Sequence, residues 1–297
     1  MRGIEIVKVV KFKGGLGNQL FQYVFLRRLE ILFYQAVKAD FSFYKNAGND
    51  IIKNPKILNF NVRINKITEK ELKNILHYVI DDNPKKLSYK AKIFIEKSIN
   101  RRYFFEKNRL FIDIPSIINY DYFDGYWQSY KYLKGIEDIV KTELVLKEPI
   151  SKSAQKWIEL LSKENSIFIG SRFSDYLLKK TKKKMGIMDL YYYVKAMEII
   201  KNSVNNPLFI VFSDDIKLAK DYFKGVKNLI FFEEPKISDE EELIIRSKCK
   251  HAIIPNSTYN WWGAWLIENP SKIIIAPKKW FADGSPIEII PPEWISI

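Results

Sequence analysis

Short apolar strands alternate with helical segments through the second half of the chain, and this alternation constrains the fold more than any other feature. Each apolar run is followed by a segment in which apolar residues recur at helical spacing. The predicted strands lie at residues 166–170, 207–212, 228–232, 252–255 and 272–276. Strands that alternate with helices in this way form a parallel sheet covered by helices.

The helices between these strands carry recognisable start signals. The sequence predicts them at residues 151–163, 189–201, 238–248 and 258–268. Asp189 can cap the second of them, and Ser238 with Glu241 fits a capping box at the start of the third. These signals strengthen the prediction of regular βα units in this half.

The first half begins with a similar unit and then becomes less regular. A strand is predicted at residues 4–12, followed by a glycine turn and a helix at 19–35, with further helices near 69–77 and 136–144. A Lys-Glu-Pro stretch near residues 146–151 separates the halves. The sequence therefore predicts an α/β fold of two Rossmann-like lobes with parallel sheets, at residues 1–150 and 151–297. The tail from residue 280 contains several prolines and is expected to wander across the surface, back over the lobes.

Composition limits the partners and the compartment. The 297 residues include 49 Lys and Arg against 35 Asp and Glu, a net charge of +14, with one cysteine and two histidines. Cys249 cannot form an internal disulfide, and we expect neither a membrane-spanning helix nor a signal peptide, because no long uninterrupted apolar run occurs. We expect a cytoplasmic protein, peripheral at the inner face of the membrane if its basic surface meets anionic lipid. The charge fits an anionic partner, but AT-rich coding bias would also produce it, and the basic run at 179–184 is equally typical of a solvated loop.

Polar or glycine-rich segments directly follow several predicted strands. They lie at residues 14–19, 170–175, 213–215 and 256–258. Ligands of open parallel sheets bind outside the carboxyl ends of the strands. The coincidence of these segments with strand ends predicts a ligand site more strongly than any one of them alone.

The first of these segments offers glycines and a polar helix start. Gly15 and Gly17 begin like a dinucleotide fingerprint, but Leu20 stands where its third glycine would be, so the fingerprint fails. Glycines still let a ligand approach the backbone, and Asn18 and Gln19 can donate and accept hydrogen bonds there. The alternative is a plain tight turn with a polar cap.

The segments of the second half supply the other candidate site residues. Arg172 is suited to a diphosphate, and Asp175 could orient it, bind a sugar hydroxyl or act as a base. The alternative is a surface salt bridge between the two. The remaining candidate residues for binding a ligand are Ser213, Asp214, Asp215, Asn256, Ser257 and Thr258. Each of these could instead simply cap a helix, and the sequence contains no Asp-x-Asp or other metal-binding pattern.

Four ordered motifs resemble the α-1,2-fucosyltransferase family, glycosyltransferase family 11. They comprise GGLGNQLFQY at residues 14–23, DGYWQS at 124–129, FSDD at 212–215, and NSTYNWWGAW at 256–265 with APKKW at 276–280. The resemblance covers nearly the whole chain. It implies a GT-B fold of two facing lobes, with the donor held mainly by the C-terminal lobe and the acceptor on the N-terminal side. It also implies inverting transfer from GDP-fucose to a galactose-type 2-hydroxyl of a bacterial surface glycan, without a metal or other cofactor.

One stretch departs from the family pattern. The family's phosphate motif, His-x-Arg-Arg-x-Asp, corresponds to residues 170–175, in which Arg172 and Asp175 match. Gly170 replaces the histidine and Phe173 replaces the second arginine. Roles of those two family residues therefore cannot be transferred, although the lysines at 179–184 could restore positive charge. The departure leaves open a different GDP-sugar donor or an inactive sugar-binding homologue.

The resemblance suggests how the reaction is shared among the candidates. Arg172 and the helix start at Ser257 and Thr258 are expected to stabilise the leaving GDP. Asn18 would reach the donor or acceptor from the other lobe, and Asp175 is a candidate base. A nucleic-acid partner rests on charge alone, because no nucleic-acid-binding motif is present.

Overall fold

The computed structural model describes residues 7–45, 54–77, 87–173 and 185–297. The chain divides into two compact units. Unit 1 comprises Met1–Lys147 with Ile287–Ile289, and unit 2 comprises Glu148–Pro286 with Ile290–Ile297. Each unit is built around a parallel sheet, so the predicted α/β fold of two lobes with parallel sheets is confirmed.

Unit 1 contains five strands and several helices in its described residues. In chain order these are β1 (Lys8–Lys11), α1 (Leu16–Phe33), β2 (Val37–Asp40), α2 (Ser42–Lys45), β3 (Asn65–Lys66), α3 (Glu69–Ile75), α4 (Leu87–Ile99), β4 (Tyr103–Phe105), β5 (Tyr122–Asp124) and α5 (Glu137–Glu143). Short 3₁₀ helices lie at Lys56–Asn59, Ile114–Ile117 and Tyr130–Leu133.

The sheet of unit 1 has the strand order β3-β2-β1-β5-β4, with every pairing parallel. All four residues of β1 are buried because this strand lies at the centre of the sheet. Its Lys8 stays buried by donating to the carbonyls of Ile118 and Tyr120, at 2.7 and 2.8 Å. Helix α1 is buried along most of its length, and its longest apolar run, Tyr23–Leu26, is fully buried.

Unit 2 alternates strands and helices as its sequence predicts. Its elements are α6 (Lys152–Lys163), β6 (Ser166–Ser171), α7 (Leu190–Ser203), β7 (Leu208–Ser213), α8 (Ile216–Tyr222), β8 (Leu229–Phe231), α9 (Asp239–Ser247), β9 (His251–Ile253), α10 (Thr258–Trp265), β10 (Ile274–Ala276) and β11 (Ile295–Ser296). The strand order is β11-β10-β9-β6-β7-β8, with every pairing parallel. Asp189 caps α7, and Ser238 with Glu241 forms the predicted capping box of α9.

The central strands of unit 2 hold its core together. Six successive residue pairs join β6 to β7, from Ser166 with Leu208 to Ser171 with Ser213. Apolar side chains on one face of these strands pack against α7 and α8 in a single buried cluster. This burial fixes the strand register and therefore the position of the residues that follow each strand.

Two parts of the sequence prediction needed correction or extension. The tail was expected to wander across the surface, but Ile295–Ser296 forms an edge strand beside β10, and Ile289 and Trp294 are buried. This strand was not predicted because prolines interrupt the apolar pattern of the sequence just before it. No pattern in the sequence predicted β2, α2, β3, α4, β4 or β5, which are short or lie among weakly patterned residues.

The structure also describes the surroundings of the two histidines and of the cysteine. The ring of His251 accepts a hydrogen bond from the backbone of Ile273 at 2.9 Å, and Cys249 is buried. His77 is exposed, 3.5 Å from a carboxylate oxygen of Glu96. Among the residues that the structure describes, no helix is long and apolar enough to cross a membrane.

Candidate functional site

The carboxyl ends of three adjacent strands in unit 2 bring the predicted polar segments together. Strand β6 lies between β9 and β7 at the centre of the sheet. Because all three strands are parallel, Ser213 at the end of β7 lies at the same edge of the sheet as Arg172 and Asn256, which follow β6 and β9. This edge, formed by residues 171–173, 213–215 and 256–258, is called the unit 2 edge below.

The chain reverses its direction of travel across the sheet at this edge. From β6 the chain proceeds outward through β7 to β8, and it then crosses to β9 on the other side of β6. The chain therefore continues from β6 and from β9 to strands on opposite sides, and such a switch in strand order is where open parallel sheets form a ligand crevice. Arg172 and Ser257 lie on either side of this switch point. This is the position at which open parallel sheets bind nucleotides.

The aspartates after β7 organise the local backbone. Oδ1 of Asp214 accepts a hydrogen bond from the backbone of Phe173 at 2.8 Å, which ties the end of β7 to the end of β6. Asp215 caps α8 by accepting from Leu218 at 2.9 Å, and Ser213 bonds to the backbone of Asp215. Asp214 and Asp215 remain exposed. They hold the edge in shape while presenting carboxylate oxygens to solvent.

The segment after β9 is partly structural. Asn256 is 1% exposed, and its amide nitrogen donates to the carbonyls of Met185 and Trp280. Ser257 caps α10, and Thr258 at the first position of that helix is half-buried. The structure thus places Asn256 as a support for the loop. Ser257 and Thr258 lie at the start of α10, where the helix dipole favours an anion.

Arg172 is half-buried at the end of β6, and Phe173 beside it is a core residue. The Phe173 ring is 2% exposed and packs against Tyr222 with ring centres 5.0 Å apart. Position 173, where the family motif has a second arginine, therefore points into the hydrophobic core in this chain. Asp175 and the basic run at 179–184 lie outside the described residues, so their roles stay predictions.

In unit 1, the glycine turn after β1 is held by its own helix. Helix α1 begins at Leu16, earlier than predicted, so Gly17, Asn18 and Gln19 lie in its first turn and Gly15 is its N-cap. Gly14 has a φ of +80°, which favours glycine. Gln19 is fully buried and bonds to the carbonyl of Gly14 and the amide of Ile57, at 3.0 and 2.9 Å. Gln19 therefore fixes the turn.

The two N-terminal motifs meet at the carboxyl edge of this sheet. Gln128 donates to Oδ1 of Asn18 at 2.8 Å. Gln22 joins the backbone of Lys13 to the carbonyl of Gly125, at 3.0–3.3 Å. Strands β1 and β5 are neighbours, which explains why motifs separated by about a hundred residues come together. Sequence analysis recognised both motifs but did not predict this contact.

An aromatic residue closes the same edge. Trp127 is fully buried, has a φ of +57° and stacks on Phe25 with ring centres 3.7 Å apart. A Cβ atom at Gly125 would lie 2.6 Å from the Trp127 ring. Glycine at 125 is therefore required for the tryptophan to fold back.

Two buried carboxylates lie beneath this edge. Asp124 is 1% exposed, pairs with Lys11 at 3.7 Å and with Lys13, and accepts from the Tyr103 hydroxyl at 2.5 Å. Burial would raise the pKa of Asp124, but the Lys13 and Lys11 ammonium groups hold it well below its usual range. Burial raises the pKa of Glu106, which accepts hydrogen bonds from the backbones of Tyr126 and Trp127. Residues 11–22 and 124–128, together with Glu106, are called the unit 1 edge below.

Metal ligation has no candidate cluster among the described residues. Within those ranges, no group of three or more His, Cys, Asp or Glu side chains is placed to hold a metal ion. The expectation of metal-independent chemistry stays a prediction.

Comparison with known proteins gives consistent matches over the whole chain. The profile of glycosyl transferase family 11 matches residues 7–297. The O-antigen biosynthesis glycosyltransferase WbnK of Escherichia coli is 26% identical, over 96% of this chain and 98% of that protein. An alpha-1,2-colitosyltransferase of Escherichia coli is 28% identical, over 98% of this chain and 99% of that protein. The galactoside 2-alpha-L-fucosyltransferase Sec1 of Mus musculus is 24% identical over 50% of this chain and 42% of that protein.

Solved structures share the fold at low sequence identity. The Escherichia coli ADP-heptose lipopolysaccharide heptosyltransferase II has a TM-score of 0.52 at 9% identity, covering 98% of this chain and 90% of that one. The alpha-1,6-fucosyltransferase NodZ soaked with GDP-fucose has a TM-score of 0.50 at 12% identity, covering 91% of this chain and 95% of that one. These likenesses support the GT-B-like architecture of the sequence prediction.

Proposed function

The chain belongs to glycosyl transferase family 11, and from this membership we propose that it transfers L-fucose from GDP-fucose to the 2-hydroxyl of a galactose-type residue. The acceptor is a bacterial surface glycan of the O-antigen type, and transfer proceeds with inversion and without a metal. The observation that carries the proposal is the placement of Arg172 and the start of α10 on either side of the switch point in unit 2. WbnK, named for O-antigen biosynthesis, supports the choice of acceptor class.

The reaction requires charge stabilisation at the leaving group. The acceptor oxygen forms a bond to the anomeric carbon from the face opposite the diphosphate, and the bond between that carbon and the phosphate oxygen breaks. GDP leaves with the electron pair, while the acceptor hydroxyl gives its proton to a base or to solvent. Arg172 and the N–H groups at the start of α10 meet the growing negative charge on the diphosphate.

The remaining residues of the unit 2 edge take supporting roles in this proposal. Asp214 and Asp215 are exposed beside Arg172 and contact the nucleoside. Asp175 is the proposed base or the partner that orients Arg172. In unit 1, Asn18 contacts the donor or the acceptor, and the loops of that unit bind the acceptor glycan. The basic surface brings the enzyme to the anionic inner face of the cytoplasmic membrane.

A second donor is favoured by one relative and one departure. The alpha-1,2-colitosyltransferase matches nearly the full length of this chain at 28% identity. Gly170 and Phe173 also replace family residues in the stretch that contacts the donor phosphates. The alternative proposal keeps the fold, the linkage geometry and Arg172, but it takes a different GDP-linked deoxysugar. An inactive sugar-binding homologue is the third possibility, and donor turnover separates it from both.

A thermal-shift panel tests the proposal. The protein is heated with GDP, GDP-fucose, GDP-mannose or UDP-galactose, each with and without EDTA. A ligand at about 100 times its dissociation constant adds roughly 2.7 kcal/mol to the free energy of unfolding. Stabilisation by GDP and GDP-fucose that EDTA does not change supports the proposal. A preference for another sugar nucleotide favours the second donor, and no shift with any of them contradicts donor binding.

A further inference from the structure

Gly170, near the end of β6, leaves room for an amide from a neighbouring helix. Its φ lies outside the left-handed region, so the backbone itself does not require glycine. The surrounding space does, because a Cβ atom at Gly170 would overlap Oδ1 of Asn260. The same atom would lie 2.5 Å from Cγ of Asn260 and 3.0 Å from Cδ of Pro255. Any larger residue at 170 thus competes with Asn260 for one volume.

The amide of Asn260 connects this strand end to a buried arginine. Asn260 and Arg246 are 4% and 3% exposed. Nη1 of Arg246 donates to Oδ1 of Asn260, and Nη2 pairs with Glu242 one turn earlier on α9. The guanidinium carbon lies 4.8 Å from the centres of the Phe212 and Tyr259 rings. The cation is therefore enclosed behind the unit 2 edge.

Stability alone does not explain this arrangement. A buried ion pair is often no more stabilising than apolar residues of similar volume. Nε of Arg246 is buried without a hydrogen-bond partner among the described residues, which adds a further cost. A second glycine also makes room for this side chain, since a Cβ atom at Gly263 would lie 3.2 Å from Cβ of Arg246. Two glycines and an amide thus accommodate one cation near the strand ends.

We propose that Asn260 and Arg246 are positioning residues for the sugar nucleotide. Asn260 lies in the first turn of α10, beyond the cap at Ser257, and its side chain touches the end of β6 at Gly170. One amide thereby sets the separation of the two segments that flank the switch point. Arg246 is paired with Glu242, so its role is to hold the Asn260 amide against the end of β6 rather than to supply net charge to the donor. This inference rests on the proposed function and adds the pair that shapes its donor site.

Titration calorimetry with GDP, together with steady-state kinetics, tests the proposal. The variants are Arg246→Met, Arg246→Lys and Asn260→Ala. We expect Arg246→Met and Asn260→Ala to raise the GDP dissociation constant and the donor KM about fivefold or more, while the acceptor KM is unchanged. Arg246→Lys retains the positive charge but loses the planar set of N–H donors of the guanidinium. We therefore expect its affinity for GDP to lie between those of wild type and Arg246→Met.

The matched control is Ser247→Ala on the same helix. Ser247 is 7% exposed, and its hydroxyl donates to the carbonyl of Ile244 within the helix turn. Its removal lowers Tm without changing the GDP dissociation constant. A variant that is merely less folded loses apparent kcat but keeps the donor KM, so the KM and kcat separate the two roles.

A double variant tests the coupling between the strand end and the amide. Gly170→Ala alone clashes with Asn260, so it lowers both Tm and GDP affinity. Adding Asn260→Ala removes the overlap with the amide and leaves the tight contact with Pro255, so we expect Tm to rise part of the way towards that of the Asn260→Ala single variant. We expect GDP affinity to stay low, because Arg246 has still lost its link. Recovery of both properties would mean that the pair only fills space.

The remaining outcomes separate this inference from the proposed function. Wild type that binds GDP, with folded Arg246→Met and Asn260→Ala variants within about twofold of it, overturns the inference alone. Wild type that binds no sugar nucleotide contradicts the proposed function, and the inference falls with it. If Asn260→Ala does not fold, the GDP affinities of Asn260→Ser and Arg246→Lys are compared with that of wild type instead.

Discussion

The carboxyl edges of the two parallel sheets both carry polar family motifs, but they use them differently. At the unit 1 edge, Gln19, Gln22 and Asp124 are buried and bond to other residues of the same unit. At the unit 2 edge, Asn256 is buried in the same way, but Arg172 is half-buried and Asp214 is exposed. The motifs of unit 1 therefore act mainly as a scaffold, whereas those of unit 2 also present charged groups to solvent.

This difference changes how the motifs are interpreted. A polar residue that matches a family pattern is usually taken for a ligand contact. Gln19 and Asn256 show that such a residue can instead form its hydrogen bonds with other residues of the protein. Substitutions at the unit 1 edge should therefore act on stability first, and substitutions at the unit 2 edge on donor binding first. Four substitutions test this difference between the two edges.

The largest effect is expected for Asp124→Asn at the unit 1 edge. The change removes the carboxylate that faces Lys11 and Lys13 and leaves buried positive charge unbalanced. We expect the free energy of unfolding to fall by about 3–5 kcal/mol, measured by urea denaturation. The control is Asp113→Asn, an exposed aspartate of the same unit. A loss below about 1 kcal/mol would contradict the scaffold role.

The same carboxylate predicts a pH dependence. Its folded-state pKa is depressed, because the two lysines outweigh the effect of burial. Its contribution to stability is therefore present above the unfolded pKa of about 3.9 and is lost as the pH falls through that value towards the folded pKa. The unfolding free energy of wild type should drop more steeply between about pH 5 and pH 2 than that of Asp124→Asn. Parallel curves would show that Asp124 does not titrate in this way.

Arg172→Ala should show the opposite pattern at the unit 2 edge. Removing one preorganised donor to a leaving group costs about 100-fold or more in turnover, equivalent to roughly 3 kcal/mol. Unfolding free energy should change by less than about 1 kcal/mol because the side chain is only half-buried. Lys217→Ala, an exposed cation on α8, is the control. A turnover loss under about fivefold would show that Arg172 does not stabilise the leaving group.

Gln22→Leu tests whether the N-terminal motifs form a scaffold. The substitution leaves the amide of Lys13 and the carbonyls of Lys13 and Gly125 without their side-chain partner. We expect a loss of about 1–3 kcal/mol in unfolding free energy with donor affinity unchanged. A variant of normal stability whose donor KM has risen would instead place Gln22 at the ligand.

The smallest effect is expected for Ser257→Ala. Loss of this N-cap costs about 1 kcal/mol of stability. Because the same helix start faces the donor in our proposal, the donor KM should also rise severalfold. Ser238→Ala removes the cap of α9 and is the matched control, with a similar stability loss and no change in KM. Identical kinetics for the two variants would separate the start of α10 from donor binding.

The sequence predicted regular parts of the fold well and long-range contacts poorly. The strands and helices of unit 2 follow clear apolar runs, and the Ser238 capping box lies where its residues indicate. Short strands such as β3, with two exposed residues, have no apolar pattern to detect. Edge strand β11 follows prolines and gains its partner only through the tertiary fold.

The site was predictable at the level of strand ends but not of side-chain partners. The rule for open parallel sheets placed Arg172, Asp214 and Ser257 at one edge without a structure. No local pattern reveals that Gly170 accommodates Asn260, because the contact joins residues ninety positions apart through packing. The same holds for Gln128 and Asn18, which meet only because β1 and β5 are neighbours.

Hydrogen exchange in the presence of GDP tests the central claim most directly, that the donor binds at the unit 2 edge. The exchange of backbone amides is compared with and without the nucleotide in wild type and in Arg172→Ala. We expect protection in peptides that contain residues 171–173, 213–215 and 256–258 of wild type, and weaker protection in Arg172→Ala. Protection confined to the unit 1 edge, or equal protection in both proteins, would contradict the account.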